Sequence, residues 1–374
     1  MRFTISSTAL NSRLLSLSRV INSKNTLPIL DCFLFEVRGG QLIVTASDSE
    51  NVMQSTMPLE SFEGEGMFAV NSQTIIDAVK ELPEQPLNID INLGELKIYV
   101  TYQNGYYDFP IQNAEEYPQV QAVDEKAISM TIDSGVLADN ISRSLFATAQ
   151  DELRPVMNGI YFDLTADYLA IVASDGHKLV RNKNLNIKSD APSAFILPKK
   201  PATLLKNVLV KDGSNVMIRF DQHSAEITFT DGKLNCRLIE GRYPNYDSVI
   251  PKDNPNHIVI DRKSFIGALR RVLPFSSDSS QLIRYKVGNG QLELSAEDVD
   301  FSTRAKESIT CEYEGTPMQI GFKGSSMLEI LNNLQSENVA VRLADPSRAG
   351  VIEPDGQEEN QEILMLIMPM LLND

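Results

Sequence analysis

One pattern is written three times along this chain, and the repetition limits the folds open to it. A short strand feeds an amphipathic helix at Arg2-Phe3-Thr4-Ile5 with Leu10, Leu14 and Leu17. The same happens at Ser129-Met130-Thr131-Ile132 with Leu137, Ile141 and Leu145, and at Ile258-Val259-Ile260 with Phe265, Leu269 and Val272. The next block repeats too: Leu42-Ile43-Val44-Thr45-Ala46-Ser47-Asp48, then Leu169-Ala170-Ile171-Val172-Ala173-Ser174-Asp175, then Leu292-Glu293-Leu294-Ser295-Ala296-Glu297-Asp298. Each copy continues into a second helical stretch, expected over 72–82, 201–210 and 325–334, whose apolar residues fall three and four apart and form one stripe. Alternating segments such as Leu87-Asn88-Ile89-Asp90-Ile91 and Ala225-Glu226-Ile227-Thr228-Phe229 read as half-buried strands. They are joined by turns at Gly39-Gly40, Asp231-Gly232 and Gly288-Asn289-Gly290. Units of this size are domains. The sequence predicts an α+β protein of three similar domains, 1–122, 127–251 and 256–374, each with two helices packed on antiparallel sheets. Polar links at 121–126 and 251–256 separate them.

The chain has 374 residues, of which 42% are hydrophobic, enough for three cores at roughly 100–150 residues per domain. No stretch approaches the roughly 20 apolar residues of a membrane span, and the N-terminus does not read as a secretory leader, so a cytoplasmic protein without membrane contact is expected. The three cysteines, Cys32, Cys236 and Cys311, fall one to a repeat without a Cys-x-x-Cys pair. That speaks against disulfides and a cysteine zinc site and for a reducing compartment.

A formal net charge of −16 argues against nucleic acid as a partner, because affinity for phosphates comes from Lys and Arg. The distribution argues the other way. Residues 4–30, 199–210 and 262–277 contain no acid but carry Arg13, Arg19, Lys24, Lys199, Lys200, Lys206, Arg262, Lys263, Arg270 and Arg271. All three runs fall on predicted helices or their leads. A charge run on one helix is commonly a solvated face; the same bias in every repeat points to a shared basic surface.

Chemistry-bearing motifs are missing. There is no G-x-x-x-x-G-K-[ST] loop, strand-borne G-x-G-x-x-G, H-E-x-x-H or G-x-S-x-G. Asp175-Gly176-His177 can be read as an acid–base pair or, more simply, as a turn after a strand. No cofactor, metal or catalytic residue is expected.

The segment Val172-Ala173-Ser174-Asp175-Gly176-His177-Lys178-Leu179 resembles the bacterial sliding clamp family, the β subunit of DNA polymerase III. So do Thr26-Leu27-Pro28-Ile29-Leu30, Asn158-Gly159, Gly241-Arg242-Tyr243-Pro244-Asn245-Tyr246 and Met368-Pro369-Met370, in matching order along the whole chain. The resemblance implies a head-to-tail homodimer of the DNA clamp fold, a ring that encircles double-stranded DNA without reading its sequence. Arg13, Lys24, Lys80, Arg143, Lys199, Lys200, Lys206, Arg270, Arg271 and Lys323 would face the DNA. It also implies a cleft for short peptide motifs of DNA polymerases and the clamp loader, formed by Arg154, Met157, Ser174, Gly176, His177, Leu179, Pro244, Val249, Ile367, Met368, Pro369 and Met370. The subunit interface would use Tyr106, Tyr107 and Phe109 against Leu273, Pro274 and Phe275. Leu371, Ser248 and Ser280 depart from the family pattern at the rim of the cleft.

The residues alone support part of this. The ending Leu364-Met365-Leu366-Ile367-Met368-Pro369-Met370-Leu371-Leu372 either packs as a core strand with alternate residues buried or offers apolar surface, and Pro369 stops sheet pairing. A protein-binding scaffold and a hydrolase built on Asp175 and His177 are the competing readings.

Overall fold

The computed structural model describes residues 1–118 and 122–372; Gln121, in the first of the expected links, lies outside them. Each repeat supplies two helices: α1 (Ser7–Ser18) and α2 (Ser72–Val79), α3 (Ser134–Leu145) and α4 (Lys199–Val208), α5 (Arg262–Val272) and α6 (Gly324–Asn332). The first helix of every repeat starts the same way. Ser6, Asp133 and Asp261 occupy one repeat position, and their side chains accept the N–H groups of Ala9, Val136 and Ser264. A side-chain oxygen at the N-cap satisfies an amide that has no partner within the helix.

The three-domain pattern packs as two compact units, 1–138 with 200–238 and 139–199 with 239–374. The middle repeat is shared between them because its strands extend the sheets of its neighbours. In the first unit an eight-stranded antiparallel sheet runs through Ile128–Asp133, Asn215–Phe220, Ser224–Phe229 and Gly232–Arg237, then on through Asn51–Pro58, Gln41–Ser47, Cys32–Arg38 and Gly66–Asn71. At the join Asn51 faces Cys236 and Met53 faces Leu234. In the second unit another eight-stranded sheet passes from the middle repeat's Lys178–Asn184 to the third repeat's Gln361–Ile367, with Lys178 facing Ile367 and Val180 facing Met365.

Each unit also holds a smaller sheet with an open edge. The five-stranded sheet of the first unit ends on Gly105–Pro110, and the four-stranded sheet of the second ends on Thr303–Thr310. By repeat position Gly105–Pro110 is the counterpart of Gly232–Arg237 and Gln361–Ile367. Thr303–Thr310 is the counterpart of Asn51–Pro58 and Lys178–Asn184.

Turn chemistry follows the sequence. Gly39 and Gly40 take φ of 59° and 75°, and Asn289 and Gly290 take 54° and 71°, the left-handed values of tight hairpins. Strand Gln361–Ile367 departs from expectation: Ile363 to Ile367 are buried without alternation. The strand lies inside its sheet, so both faces are covered. Ile363, Met365 and Ile367 enter one core with Phe265, Phe322 and Ile330, while Leu364 and Leu366 enter another with Tyr243, Tyr246 and Val351. No described helix is long and apolar enough to cross a membrane.

Gly232 marks the tightest point of the first join. A Cβ there would lie 2.1 Å from the carbonyl oxygen of Gln54, so only glycine lets the two strands approach. Gly232→Ala is expected to destabilise the protein by about 1–3 kcal/mol, the usual cost of forcing atoms into a packed interior. Thermal or urea unfolding checks this; an unchanged midpoint contradicts it.

Candidate functional site

The turn Asp175-Gly176-His177-Lys178 organises the region where the sequence places a peptide cleft. The Oδ1 atom of Asp175 accepts the backbone N–H groups of His177 and Lys178 at 2.8 and 2.9 Å. Gly176 sits at φ 92°, where a side chain would be strained. Beside it lies the guanidinium of Arg154, 3.2 Å from where a Cβ of Gly176 would stand, pinned by Asp151 at 2.7 Å. The Ser174 hydroxyl donates to the Lys178 carbonyl at 2.9 Å. The turn's outer carbonyl, that of His177, accepts the N–H of Met368 at 2.8 Å.

Beyond Met368 the chain crosses to the other sheet of this unit, where the Met370 N–H donates to the Gly321 carbonyl at 2.8 Å. Pro369 lies between these two anchors, and the strand has ended at Ile367, as proline requires. Met368 is 40% exposed, Val249 is 53% exposed and Pro244 is exposed. Leu179, Met157 and Ile367 are buried beneath them. The predicted cleft residues therefore divide into a surface of Arg154, Gly176, His177, Pro244, Val249, Met368 and Met370, and a buried floor. An open groove of about 510 Å³ adjoins Met370, lined also by Gln319, Asp345, Pro346, Ser347, Leu371 and Leu372. At the matching repeat positions of the first unit Val123 and Leu238 are buried where Val249 is exposed and Pro369 is half-buried, whereas Val52 and Tyr117 are buried like their counterparts Leu179 and Tyr243.

Two residues that sequence reasoning passed over hold the turn. Lys178 places its ammonium 2.9 Å from Asp175 and 3.1 Å from Glu329 of α6, with its side chain only 11% exposed. Burial opposes the charge on both Asp175 and Lys178. The ion pair and the two amide donors outweigh it, holding the carboxyl below its ordinary range and the ammonium above its own. The acid-then-glycine pattern announced the turn, but nothing in the sequence connected it to Glu329. The Asp175 carboxylate is thus engaged by backbone amides and Lys178, and among the described residues no hydrogen bond joins it to the His177 ring.

The ten predicted DNA-facing cations fall into two groups. Several are engaged within the protein: Arg13 with Asp231 at 2.6 Å, Lys80 with Asp77 at 2.7 Å and Arg271 with Glu307 at 2.5 Å. Lys200 is bound most completely, donating to Asp48, the Val20 carbonyl and Asn22 at 2.5–2.7 Å. Arg143 is half-buried and its pKa is drawn down by that burial, and Lys199 is half-buried. Lys24, Lys206, Arg270 and Lys323 are exposed and pair with no acid among the described residues. At the open strand edges Tyr106 is 68% exposed, Tyr107 stacks on Tyr102 at 5.1 Å and Phe109 is buried. Leu273 is half-buried, whereas Pro274 and Phe275 are exposed. Among the described residues no group of three or more His, Cys, Asp or Glu is placed to hold a metal.

Repeated pairs of helices on antiparallel sheets define the DNA clamp fold, and three family models cover nearly the entire chain. The DNA polymerase III beta subunit N-terminal domain matches residues 1–121, the central domain 131–245 and the C-terminal domain 247–371. The chain belongs to the DNA polymerase III beta subunit family, the sliding clamps that act as processivity factors in DNA replication. It is 28% identical over 373 residues to the beta sliding clamp of Pseudomonas putida, and 24% identical over 372 residues to that of Caulobacter vibrioides. These matches cover 100% of both chains and 95% and 96%, respectively. Among solved structures it resembles the sliding clamp of Pseudomonas aeruginosa bound to griselimycin, with a TM-score of 0.93, 27% identity and full coverage of both chains. The beta subunit of Thermotoga maritima shares the fold, with a TM-score of 0.89 and 23% identity over the whole of both chains.

The lowered carboxyl of Asp175 predicts a pH-dependent contribution. A group whose folded pKa lies below its unfolded value, about 3.9 for aspartate, adds stability above that value and loses it as the pH falls through the folded one. Asp175→Asn is expected to lower Tm at neutral pH and to have little effect at about pH 2. Melting curves of both proteins at the two pH values decide it; an equal drop at both assigns the effect to something other than the charge.

Proposed function

We propose that two copies of this chain join head to tail into a closed ring around duplex DNA, which slides without sequence preference and tethers replication proteins through the Met368 cleft. One observation carries the proposal. Two kinds of strand edge meet twice inside the chain, and one edge of each kind is left open, Gly105–Pro110 and Thr303–Thr310. An unpaired edge is an aggregation hazard unless a partner covers it. A second copy offers the missing mate for each, and two copies use up both, which closes the assembly.

The register of the proposed third join follows the pattern of the internal two. Ile98 and Val100 pair with Phe109 and Tyr107 as Ala225 and Ile227 pair with Cys236 and Leu234. The seam between copies then sets Phe109 opposite Thr303, Asp108 opposite Arg304 and Tyr107 opposite Ala305. Leu273, Pro274 and Phe275 follow α5, whose Arg271 is tied to this same edge strand, so they flank the seam. The domains 1–122, 127–251 and 256–374 are the repeating units of the ring.

Charge supports the DNA reading. Contacts to phosphates carry no sequence information, and a ring that must slide needs attraction that is weak and screened by salt. Internal pairing of Arg13, Lys80, Lys200 and Arg271 lowers the pull, leaving Lys24, Lys206, Arg270 and Lys323 to centre the duplex. The acidic remainder of the surface repels it. The ring consumes no ATP and needs no cofactor; a separate loader opens it.

The clamp, loaded on a nicked circle, is expected to stay bound until the circle is linearised and then to run off the ends. Gel filtration of the complex before and after cleavage reads this out; retention on linear DNA with free ends contradicts topological tethering. For the cleft, the exposed Met368 and Val249 above a firm apolar floor suit a short peptide with apolar anchors, and methionine adapts to several such ligands. Met368→Asp is expected to weaken binding of such a peptide at least about tenfold, the scale of losing an anchor contact, without changing the oligomer. Fluorescence anisotropy with a labelled peptide measures it, and unchanged affinity removes the cleft from the proposal.

A further inference from the structure

The two joins inside the chain and the seam proposed between copies occupy equivalent positions, so their differences can be read residue by residue. Both internal joins are fastened by the same kind of polar tie. The carbonyl of Glu50, in the turn after the first repeat's strand, accepts the N–H of Arg237 at 3.0 Å, and its counterpart, the carbonyl of His177, accepts that of Met368 at 2.8 Å. Ion pairs reinforce them: Asp48 with Lys200 and Arg13 with Asp231 at the first join, Lys178 with Glu329 at the second.

The open edges lack these ties. The counterpart of Arg237 and Met368 is Pro110, which has no N–H to donate. Helix α5 spends Arg271 on Glu307 of its own repeat, and the hairpin that would meet a neighbouring copy carries the neutral pair Gln103-Asn104 where the corresponding hairpin of the middle repeat carries Asp231. The turn facing Pro110 is longer as well. Four residues separate Ser47 from Val52 and Ser174 from Leu179, but six separate Glu297 from Arg304. Asp298 still anchors it as Asp48 and Asp175 anchor theirs, accepting the N–H groups of Asp300 and Phe301. At its tip Val299 is 81% exposed and Phe301 is 77% exposed. Two large apolar side chains at the tip of a hairpin are in the wrong solvent unless something covers them.

We propose that the Val299–Phe301 hairpin tip is an apolar latch that docks on a second copy of this chain beside its Pro110, replacing the polar ties that fasten the internal joins. The inference rests on the head-to-tail seam described above. The occupant follows from continuity: the tip extends the open edge Thr303–Thr310, and the equivalent turns in both other repeats lie against the residue equivalent to Pro110. The proline ring supplies an apolar face where the internal joins supply a donor, so the loss of one contact and the gain of the other belong together. The seam keeps its strand pairing but lacks the tie that Glu50 makes with Arg237 and His177 with Met368, and it lacks the partly buried ion pairs of the internal joins, so fewer polar contacts hold two copies together than hold the repeats within one.

The experiment has two arms. Val299→Ser combined with Phe301→Ser is expected to raise the dimer dissociation constant, measured by sedimentation of the full-length protein, at least about tenfold, the scale of losing a buried aromatic anchor. Phe301→Leu, which keeps an apolar tip, holds it near the parent value. Both positions are solvent-exposed in the single chain, so its circular dichroism spectrum should be unaltered. An unchanged dissociation constant for the double serine variant overturns the latch. The seam is tested apart from it: Tyr107→Cys with Ala305→Cys should cross-link copies under oxidation. A wild-type protein that sediments as a monomer, or cysteines that never cross-link, overturns the seam itself.

Discussion

The hydrogen-bonding groups along strand edges govern this protein. A sheet can stop only where its last strand is covered, charged or paired, and here the repeats solve the problem by pairing across their boundaries. Gly232–Arg237 completes the edge of Asn51–Pro58, and Gln361–Ile367 completes that of Lys178–Asn184. The same rule that welds three repeats into two shared sheets leaves Gly105–Pro110 and Thr303–Thr310 as edges without a mate among the described residues.

Buried charge does local work around those joins. Asp48 and Asp175 hold equivalent turns through their backbone amides, and each is neutralised by a lysine, Lys200 in one case and Lys178 in the other. Partly buried pairs of this kind gain little net stability over apolar packing, but breaking one leaves a charge stranded. Their value lies in fixing where the turns sit. One turn fixes the His177 carbonyl that receives Met368, so the ion pair that holds this turn also sets the position of Met368.

The comparison among repeats separates function from architecture. Val123 and Leu238 are buried at the first join, whereas their counterparts at the second, Val249 and Pro369, are exposed and half-buried. Equal folding constraints act on both, so the open surface is not required by the fold. The cations tell the same story. Those at the joins, Arg13 and Lys200, are consumed by structure, and Lys24, Lys206, Arg270 and Lys323 are not.

Three repeats, their helices, the turn glycines and the α+β class were legible in the sequence because periodicity is local: apolar spacing of three and four, alternation by two and a capping side chain are decided within a few residues. The candidate cleft was named instead from the resemblance to the sliding clamp family that the turn and the Met-Pro-Met ending carry. What tertiary structure decided lies between distant residues. The alternation expected of the ending 364–372 gave way to continuous burial over 363–367 because that strand is interior to its sheet, with cores on both faces. Glu329 reached Lys178 from another helix, three of the ten predicted DNA-facing cations, Arg13, Lys200 and Arg271, met partners far away in the sequence, and the middle repeat gave its strands to both neighbours. A sequence states which face of an element is apolar; which element covers that face, and which charge finds which partner, depends on long-range packing that no local pattern encodes.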